Sequence, residues 1–167
     1  MQYKLRKWQK NDSESVAKYA NNKNIADNLR NVFPNPYTLK DAEWYVNSCC
    51  DSDEKTQYCR AIEVDNKAVG SIGVFLLHDV YEKSAEIGYW LAEEYWGNGI
   101  MTDAIKQVCK VAFENYDIYR IQAQVFESNI ASQKVLKNVG FEVEGVLKNS
   151  IYKNGKLQNS VMLAMIR

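Results

Sequence analysis

Residues 86–102, with the sequence EIGYWLAEEYWGNGIMT, decide the fold. They predict a short apolar strand, a turn that contains Gly97 and Gly99, and the start of an amphipathic helix. The N–H groups in the first turn of a helix have no acceptor within the helix, so they can hold a phosphate. This stretch therefore predicts a site for a phosphorylated ligand.

The chain after this stretch continues to alternate between helix and strand. Apolar residues recur at helical spacing from Met101 to Ala112, which predicts a helix whose buried face includes Cys109. Gly140 predicts the end of the next helix, and Asn154-Gly155 predicts the turn of a terminal hairpin. The predicted elements are a strand at residues 120–126, a helix at 130–139, and strands at 141–152 and 157–166.

The chain before this stretch predicts helices followed by a hairpin. A polar residue at positions 11–13 can cap a first helix that ends near residue 19, and Thr38 with Asp41 predicts a capping box for a third helix. The other predicted elements are a strand at residues 3–7, a short helix at 25–29, and strands at 58–64, 68–77 and 84–91.

This order predicts one α/β (or α+β) domain over residues 1–167, with a mixed central sheet, helices on both faces and a C-terminal β-hairpin. Lys and Arg number 21, as do Asp and Glu, so the net charge gives no general attraction to nucleic acid or anionic membranes. No apolar run is long enough to span a bilayer, and the first residues lack the apolar segment of a secretory signal. We therefore expect a cytoplasmic protein that binds neither nucleic acid nor membrane.

The four cysteines predict no metal site. Cys49, Cys50, Cys59 and Cys109 fit no zinc-binding spacing, and His78 is the single histidine. Cys49 and Cys50 are adjacent and are therefore poor partners for an ordinary disulfide. We expect reduced cysteines that serve as small apolar side chains.

Two kinds of nucleotide-binding loop do not fit the glycine turn. A Walker-type loop has a lysine after its last glycine, whereas Ile100 follows Gly99 here. A dinucleotide loop begins immediately after its strand, whereas residues 92–96 separate the predicted strand from Gly97. The chain after Thr102 is also too short for the remaining parallel strands of a dinucleotide-binding domain.

Two segments together resemble the GNAT N-acetyltransferase superfamily. Residues 95–104, YWGNGIMTDA, are similar to the pyrophosphate loop of its ribosomal-protein N-terminal acetyltransferase branch, and residues 129–141, NIASQKVLKNVGF, are similar to a second family segment. The stricter loop motif Q/R-x-x-G-x-G/A is kept at Gly99, but Trp96 and Met101 occupy its other two positions. The resemblance implies a GNAT-like acyl-CoA N-acyltransferase fold, with acetyl-CoA as co-substrate and no metal.

The resemblance also implies the residues that hold coenzyme A. The Asn129 side chain would contact the pantetheine arm, Ser132 would lie near the thiol or a phosphate, and backbone N–H near Leu91 would bind pantetheine and polarise the thioester carbonyl. Backbone amides would wrap the pyrophosphate, because glycine lets the chain approach it closely. These amides belong to Gly97, Asn98, Gly99, Ile100, Met101 and Thr102.

Acetyl transfer to an amine needs a base for the amine and an acid for the thiolate. Glu86 is the candidate base, acting directly or through water, because some GNAT enzymes carry a base glutamate in this strand. Ser132 is the candidate acid, or only a contact for coenzyme A, because Leu136 stands where many GNAT enzymes carry a tyrosine acid. Tyr152 is a weaker alternative acid.

The sequence leaves the identity of the acceptor amine open. A protein N-terminus, with a pKa of about 7.7–8.0, loses its proton more easily than a lysine-like amine at about 10.4, so we expect an N-terminal α-amine. The alternatives are a polyamine or an aminoglycoside, or a non-catalytic acyl-CoA-binding module, in a monomer or a homodimer. Phe33, Tyr37, Trp44 and Tyr81 are either walls of the acceptor site or core aromatic residues.

Overall fold

The computed structural model describes residues 1–167 and contains five α-helices and seven β-strands. The helices are α1 (Ser13–Ala20), α2 (Lys23–Ala26), α3 (Leu39–Cys50), α4 (Ile100–Asn115) and α5 (Ile130–Val139). The strands are β1 (Lys4–Arg6), β2 (Gln57–Val64), β3 (Lys67–Leu76), β4 (Ser84–Leu91), β5 (Arg120–Phe126), β6 (Glu142–Lys153) and β7 (Lys156–Ile166). None of the helices has the length and apolarity that crossing a bilayer demands.

All seven strands belong to one sheet, in the order β1-β2-β3-β4-β5-β7-β6. β4 and β5 run parallel, whereas β1 with β2, β5 with β7, and β6 with β7 pair antiparallel. Parallel neighbours need a long crossover connection, and α4 lies in the segment that joins β4 to β5. The predicted mixed α/β fold and its C-terminal β-hairpin are therefore confirmed.

The chain divides into two compact units. Unit 1 comprises Met1–Gly73 and Tyr89–Ile100, and unit 2 comprises Val74–Gly88 and Met101–Arg167. In unit 1, α1 packs against α3, and the core includes Val16, Ala42, Val46, Ile62, Val69 and Ile72. In unit 2, the core includes Ile105, Val108, Cys109, Ala112, Ile121, Leu136 and Leu163. The single domain over residues 1–167 stays a prediction.

Local signals in the sequence explain where several elements end. Thr38 and Asp41 form the predicted capping box, in which Thr38 Oγ1 accepts the Asp41 N–H at 3.2 Å and the Asp41 carboxylate accepts the Thr38 N–H at 2.8 Å. Gly140 ends α5 with a φ of +112°. Asn154 and Gly155 both have positive φ, as a tight hairpin turn between β6 and β7 requires.

Two helix boundaries differ from the predicted ones. The second helix covers Lys23–Ala26 instead of residues 25–29, because the side chain of Asn22 caps it by accepting the N–H of Asn24 at 2.8 Å. The fourth helix begins at Ile100, one residue earlier than predicted.

A largely buried ion-pair network joins β1, the start of α1 and β2 within unit 1. The Arg6 guanidinium donates to both carboxylate oxygens of Asp12, at 2.7 and 2.8 Å, and its Nε donates to Glu63. Lys4 Nζ lies 2.7 Å from Glu63 Oε1. Burial raises the pKa of Glu63, but the hydrogen bonds from Lys4 and Arg6 outweigh it and hold the pKa below its ordinary value.

We expect Glu63→Gln to lower the free energy of unfolding by about 1–3 kcal/mol, because a largely buried guanidinium loses one carboxylate partner. Denaturant unfolding at neutral pH measures the change. Glu54→Gln is the matched control, since Glu54 is half-exposed and pairs with Lys7 and Arg60, and its loss should cost less than about 1 kcal/mol. Equal losses for the two variants would contradict this account of the network.

The Glu63 carboxylate makes the stability difference between the wild type and Glu63→Gln depend on pH. Because the folded pKa of Glu63 lies below its ordinary value, its stabilising contribution is complete above about pH 4.3 and is lost as the pH falls through the folded pKa. The difference in unfolding free energy between the wild type and Glu63→Gln should therefore shrink in acid. A difference that persists in acid would assign the effect to packing instead of charge.

Candidate functional site

β4 ends in a tightly packed position. Trp90 and Leu91 are buried, and the N–H of Ala92 donates to the C=O of Val69 at 2.8 Å. Gly70 approaches so closely that an added Cβ would lie 2.6 Å from the Trp90 C=O. The end of β4 is therefore fixed against β3 within unit 1.

The side chain of Trp96 ties the following loop back to β4. Its indole N–H donates to the C=O of Leu91 at 2.7 Å, and a 3-10 turn at Glu93–Tyr95 fills the segment between them. The side-chain amide of Asn98 donates to the C=O groups of Tyr95 and Trp96, at 3.2 and 3.1 Å. Side chains of the loop thus define its shape.

Gly97 and Gly99 adopt backbone conformations that favour glycine. Their φ angles are +74° and +77°, and α4 begins directly afterwards at Ile100. An added Cβ would meet nothing within 4 Å at either position, so the backbone conformation, and not crowding, requires glycine. These exposed residues lead into a first turn whose N–H groups have no acceptor within the helix. The sequence predicted this turn and this helix start, whereas the phosphate site itself stays a prediction.

Residues of α1, of α2 and of the segment between them contact the loop. The Glu93 carboxylate accepts hydrogen bonds from the side-chain amides of Asn22, at 2.7 Å, and Asn24, at 3.1 Å, and these bonds lower the pKa of Glu93. The ring of Tyr95 packs edge-on against Tyr19, with centroids 6.1 Å apart. Sequence reasoning missed these contacts, because Asn22 and Glu93 lie 71 residues apart.

The four aromatic residues considered for the acceptor site differ in exposure. Tyr37 is buried, and the Phe33 ring packs against it with centroids 4.9 Å apart. Trp44 and Tyr81 are 65% and 64% exposed, so the core interpretation is wrong for these two. Trp44 is exposed because it lies two residues from the buried Val46 and therefore on the opposite face of α3.

Glu86 lies in the part of β4 that belongs to unit 2. The parallel ladder pairs residues 84–86 of β4 with residues 120–122 of β5, and Glu86 is the last β4 residue in it. β4 continues to Leu91, and β5 continues to Phe126. The candidate base is therefore held by the sheet at the end of this ladder.

Asn129 and Ser132 meet at the start of α5 in unit 2. Asn129 caps this helix, since its Oδ1 accepts the N–H of Ser132 at 3.1 Å. The other polar group of Asn129 is its amide NH₂, which is a hydrogen-bond donor. Leu136 is fully buried, so this position belongs to the core, and Tyr152 is 70% exposed in β6.

A sequence model of the acetyltransferase (GNAT) domain matches residues 3–142 of the chain. The chain belongs to the GNAT acetyltransferase family. The family predicted from the glycine turn and the Asn129 segment is therefore confirmed.

Curated GNAT relatives differ in how much of this chain they match. "Probable N-acetyltransferase YjcK" of Bacillus subtilis is 30% identical over 70% of the chain and 64% of its own length. "Putative ribosomal N-acetyltransferase YdaF" of the same species is 32% identical over 69% of the chain and 66% of its own length. The matches thus span less than two thirds of these two relatives. Spermidine N(1)-acetyltransferase of Escherichia coli is 24% identical over 98% of the chain and 86% of its own length.

Solved structures confirm the GNAT fold. The ribosomal protein α-N-acetyltransferase RimL, in complex with coenzyme A, has a TM-score of 0.86 and 23% identity, and covers 98% of this chain and 93% of its own. The self-immunity acetyltransferase MccE, in complex with acetyl-CoA and AMP, has a TM-score of 0.84 and 22% identity. Its match covers 99% of this chain and 92% of its own. At these identities the likeness shows the fold alone.

The predicted site residues of this GNAT chain fall into local groups. In unit 1, Trp96 joins Leu91 to the loop of Gly97, Asn98 and Gly99. The first turn of α4 follows, with Ile100, Met101 and Thr102, while Glu86 in β4 and the pair of Asn129 and Ser132 lie in unit 2. No group of three or more His, Cys, Asp or Glu side chains is arranged to hold a metal ion. The roles of these residues toward a ligand stay predictions.

We expect Gly99→Val to weaken acetyl-CoA binding at least about tenfold, because a β-branched residue at positive φ costs about 1–3 kcal/mol and distorts the loop. Isothermal titration calorimetry of the folded variant measures the dissociation constant. Gly145→Val is the matched control, since Gly145 also has open space around it but no positive φ. The loop assignment is wrong if both variants bind acetyl-CoA as the wild type does.

Proposed function

We propose that this protein transfers an acetyl group from acetyl-CoA to the α-amine of a protein N-terminus. The observation that carries this proposal is the loop of Gly97, Asn98 and Gly99, whose positive-φ glycines lead directly into α4. Such a loop presents backbone N–H groups to a phosphate. Because the chain belongs to an acetyltransferase family, acetyl-CoA is the phosphorylated ligand that fits.

In this proposal, backbone N–H groups make most of the contacts with coenzyme A. The amides of residues 97–102 bind the pyrophosphate, and the positive end of the α4 macrodipole stabilises its negative charge. The amide NH₂ of Asn129 donates to the pantetheine arm, since its Oδ1 already caps α5. The backbone N–H near Leu91 donates to pantetheine and to the thioester carbonyl, and the bond from Trp96 holds this end of β4 in place.

Glu86 and Ser132 carry the proton transfers in this proposal. Glu86 accepts a proton from the acceptor amine, directly or through water, and the neutral amine then attacks the thioester carbonyl carbon. The C–N bond forms, the C–S bond breaks, and the Ser132 hydroxyl donates a proton to the thiolate. The new amide nitrogen loses its extra proton to solvent, and solvent returns a proton to Ser132. An α-amine with a pKa of about 7.7–8.0 is already partly neutral near pH 7, so a single carboxylate is sufficient as base.

The relatives support two acceptor classes. YdaF is named as a "putative ribosomal N-acetyltransferase" and RimL as a ribosomal protein α-N-acetyltransferase, and these names agree with the chemistry of an N-terminal α-amine. A polyamine is the second candidate, because the alignment with the spermidine acetyltransferase extends over 98% of the chain. Acetylation of a polyamine demands more of the base, since aliphatic amines of this kind have a pKa near that of lysine, about 10.4.

Acetyl transfer to a panel of amines tests the proposal. The panel contains peptides with a free N-terminal Ala or Ser, the same peptides with a blocked N-terminus and an internal Lys, spermidine and an aminoglycoside. We expect mass spectrometry to find acetylation on the free N-termini only. Preferential acetylation of spermidine would show that the acceptor is a polyamine and not a protein N-terminus. Binding of acetyl-CoA without transfer to any amine would indicate a non-catalytic module.

We expect Glu86→Gln to lower kcat by about 10²–10⁴, with the acetyl-CoA dissociation constant unchanged, because general-base catalysis is lost. Glu82→Gln, at an exposed glutamate just before β4, should keep the wild-type kcat. If Ser132 is the acid, Ser132→Ala lowers kcat as well, whereas a simple contact with coenzyme A would only raise KM for acetyl-CoA. A wild-type pH profile for Glu86→Gln would reject Glu86 as the base.

A further inference from the structure

Two cysteine side chains face each other between α3 and β2 in unit 1. Cys49 lies in the last turn of α3, Cys59 lies in β2, and their Sγ atoms are 3.8 Å apart. Both are free thiols, and neither is among the residues proposed for acetyl transfer. A disulfide bond of about 2.05 Å requires the two sulfur atoms to approach by about 2 Å.

The surroundings of Cys59 favour its thiolate. Ser71 Oγ lies 3.9 Å from Cys59 Sγ and 2.7 Å from the Tyr45 hydroxyl. The hydrogen bond with Cys49, supported by Ser71, lowers the pKa of Cys59, whereas burial acts in the opposite direction. The buried indole N–H of Trp8 has no hydrogen-bond partner, and Trp8 is among the groups that favour the Cys59 thiolate.

The two thiols have different chemical roles. Cys59 is 6% exposed, and its contact with Cys49 holds the pKa of its thiol below the ordinary value, so Cys59 is the stronger nucleophile of the two. Cys49 is partly exposed, and its pKa is raised by the hydrogen bond with Cys59 and by burial. A small, uncharged oxidant can approach the pair from the side of Cys49. Cys59 is then the thiol that reacts first, and Cys49 is the thiol that resolves the product.

We propose that Cys49 and Cys59 form an oxidation site that hydrogen peroxide converts to an intramolecular disulfide. The Cys59 thiolate attacks a peroxide oxygen, the O–O bond breaks, and hydroxide leaves to give a sulfenic acid on Cys59. The Cys49 sulfur then attacks the Cys59 sulfur, the S–O bond breaks, and water leaves with the Cys49 proton. Two thiols and one hydrogen peroxide thus give one disulfide and two water molecules.

The disulfide would join the end of α3 to β2 and close the connection between them into a covalent loop. Cross-linking restricts the unfolded chain, so the oxidised protein should unfold at a higher temperature than the reduced protein. Acetyl transfer is assigned to other residues, so this inference stands or fails separately from the proposed function.

The test is titration of free thiols after a brief treatment with hydrogen peroxide. We expect the wild type to lose two of its four thiols, with a mass lower by two hydrogen atoms and a peptide map that links Cys49 to Cys59. The oxidation rate should rise with pH, because the thiolate is the nucleophile and the thiol is not. Loss of no thiol, a mass gain of oxygen atoms alone, or a link that involves Cys50 would overturn the proposal.

Cys50→Ser is the matched control, because Cys50 is the chain neighbour of Cys49 and is also partly exposed. This variant should still lose two thiols and gain thermal stability on oxidation. Cys49→Ser removes the resolving thiol at a partly exposed position, so it should fold and form no disulfide. The proposal is overturned if Cys49→Ser loses a pair of thiols as the wild type does.

Discussion

The hydrogen bond from the Trp96 indole to the Leu91 carbonyl couples the end of β4 to the loop before α4. Gly97 and Gly99 have no side chains that could hold the loop. Its shape therefore depends on Trp96, on the side-chain amide of Asn98, and on the hydrogen bonds that the Glu93 carboxylate accepts. A loop that is already shaped loses little conformational entropy when a phosphate binds to its N–H groups. The proposed binding of acetyl-CoA rests on this constraint.

Features that depend on neighbouring residues could be predicted from the sequence. The capping box of Thr38 and Asp41, the left-handed Gly140 and the hairpin turn at Asn154 each follow from a local preference of the backbone. The two family motifs then indicated the fold and the candidate loop. The second helix was placed wrongly, because the cap at Asn22 starts it two residues earlier than predicted.

Contacts between distant residues could not be predicted in this way. Trp96 stands at a position where the strict loop motif has Gln or Arg, and only the structure gives the acceptor of its indole N–H. The bond between Asn22 and Glu93 and the approach of Cys49 to Cys59 both join separate elements, so no local pattern encodes them. The exposure of Trp44 was left open, although its helical spacing from Val46 could have decided it.

Amide NMR spectra recorded during titration with coenzyme A test the central claim most directly. Pantetheine, which lacks the pyrophosphate, is the matched control ligand. If the loop holds the pyrophosphate, the N–H signals of Gly97, Asn98 and Gly99 shift strongly with coenzyme A and little with pantetheine. If those signals stay in place while coenzyme A binds and shifts signals elsewhere, the loop is not the pyrophosphate site and the account is wrong.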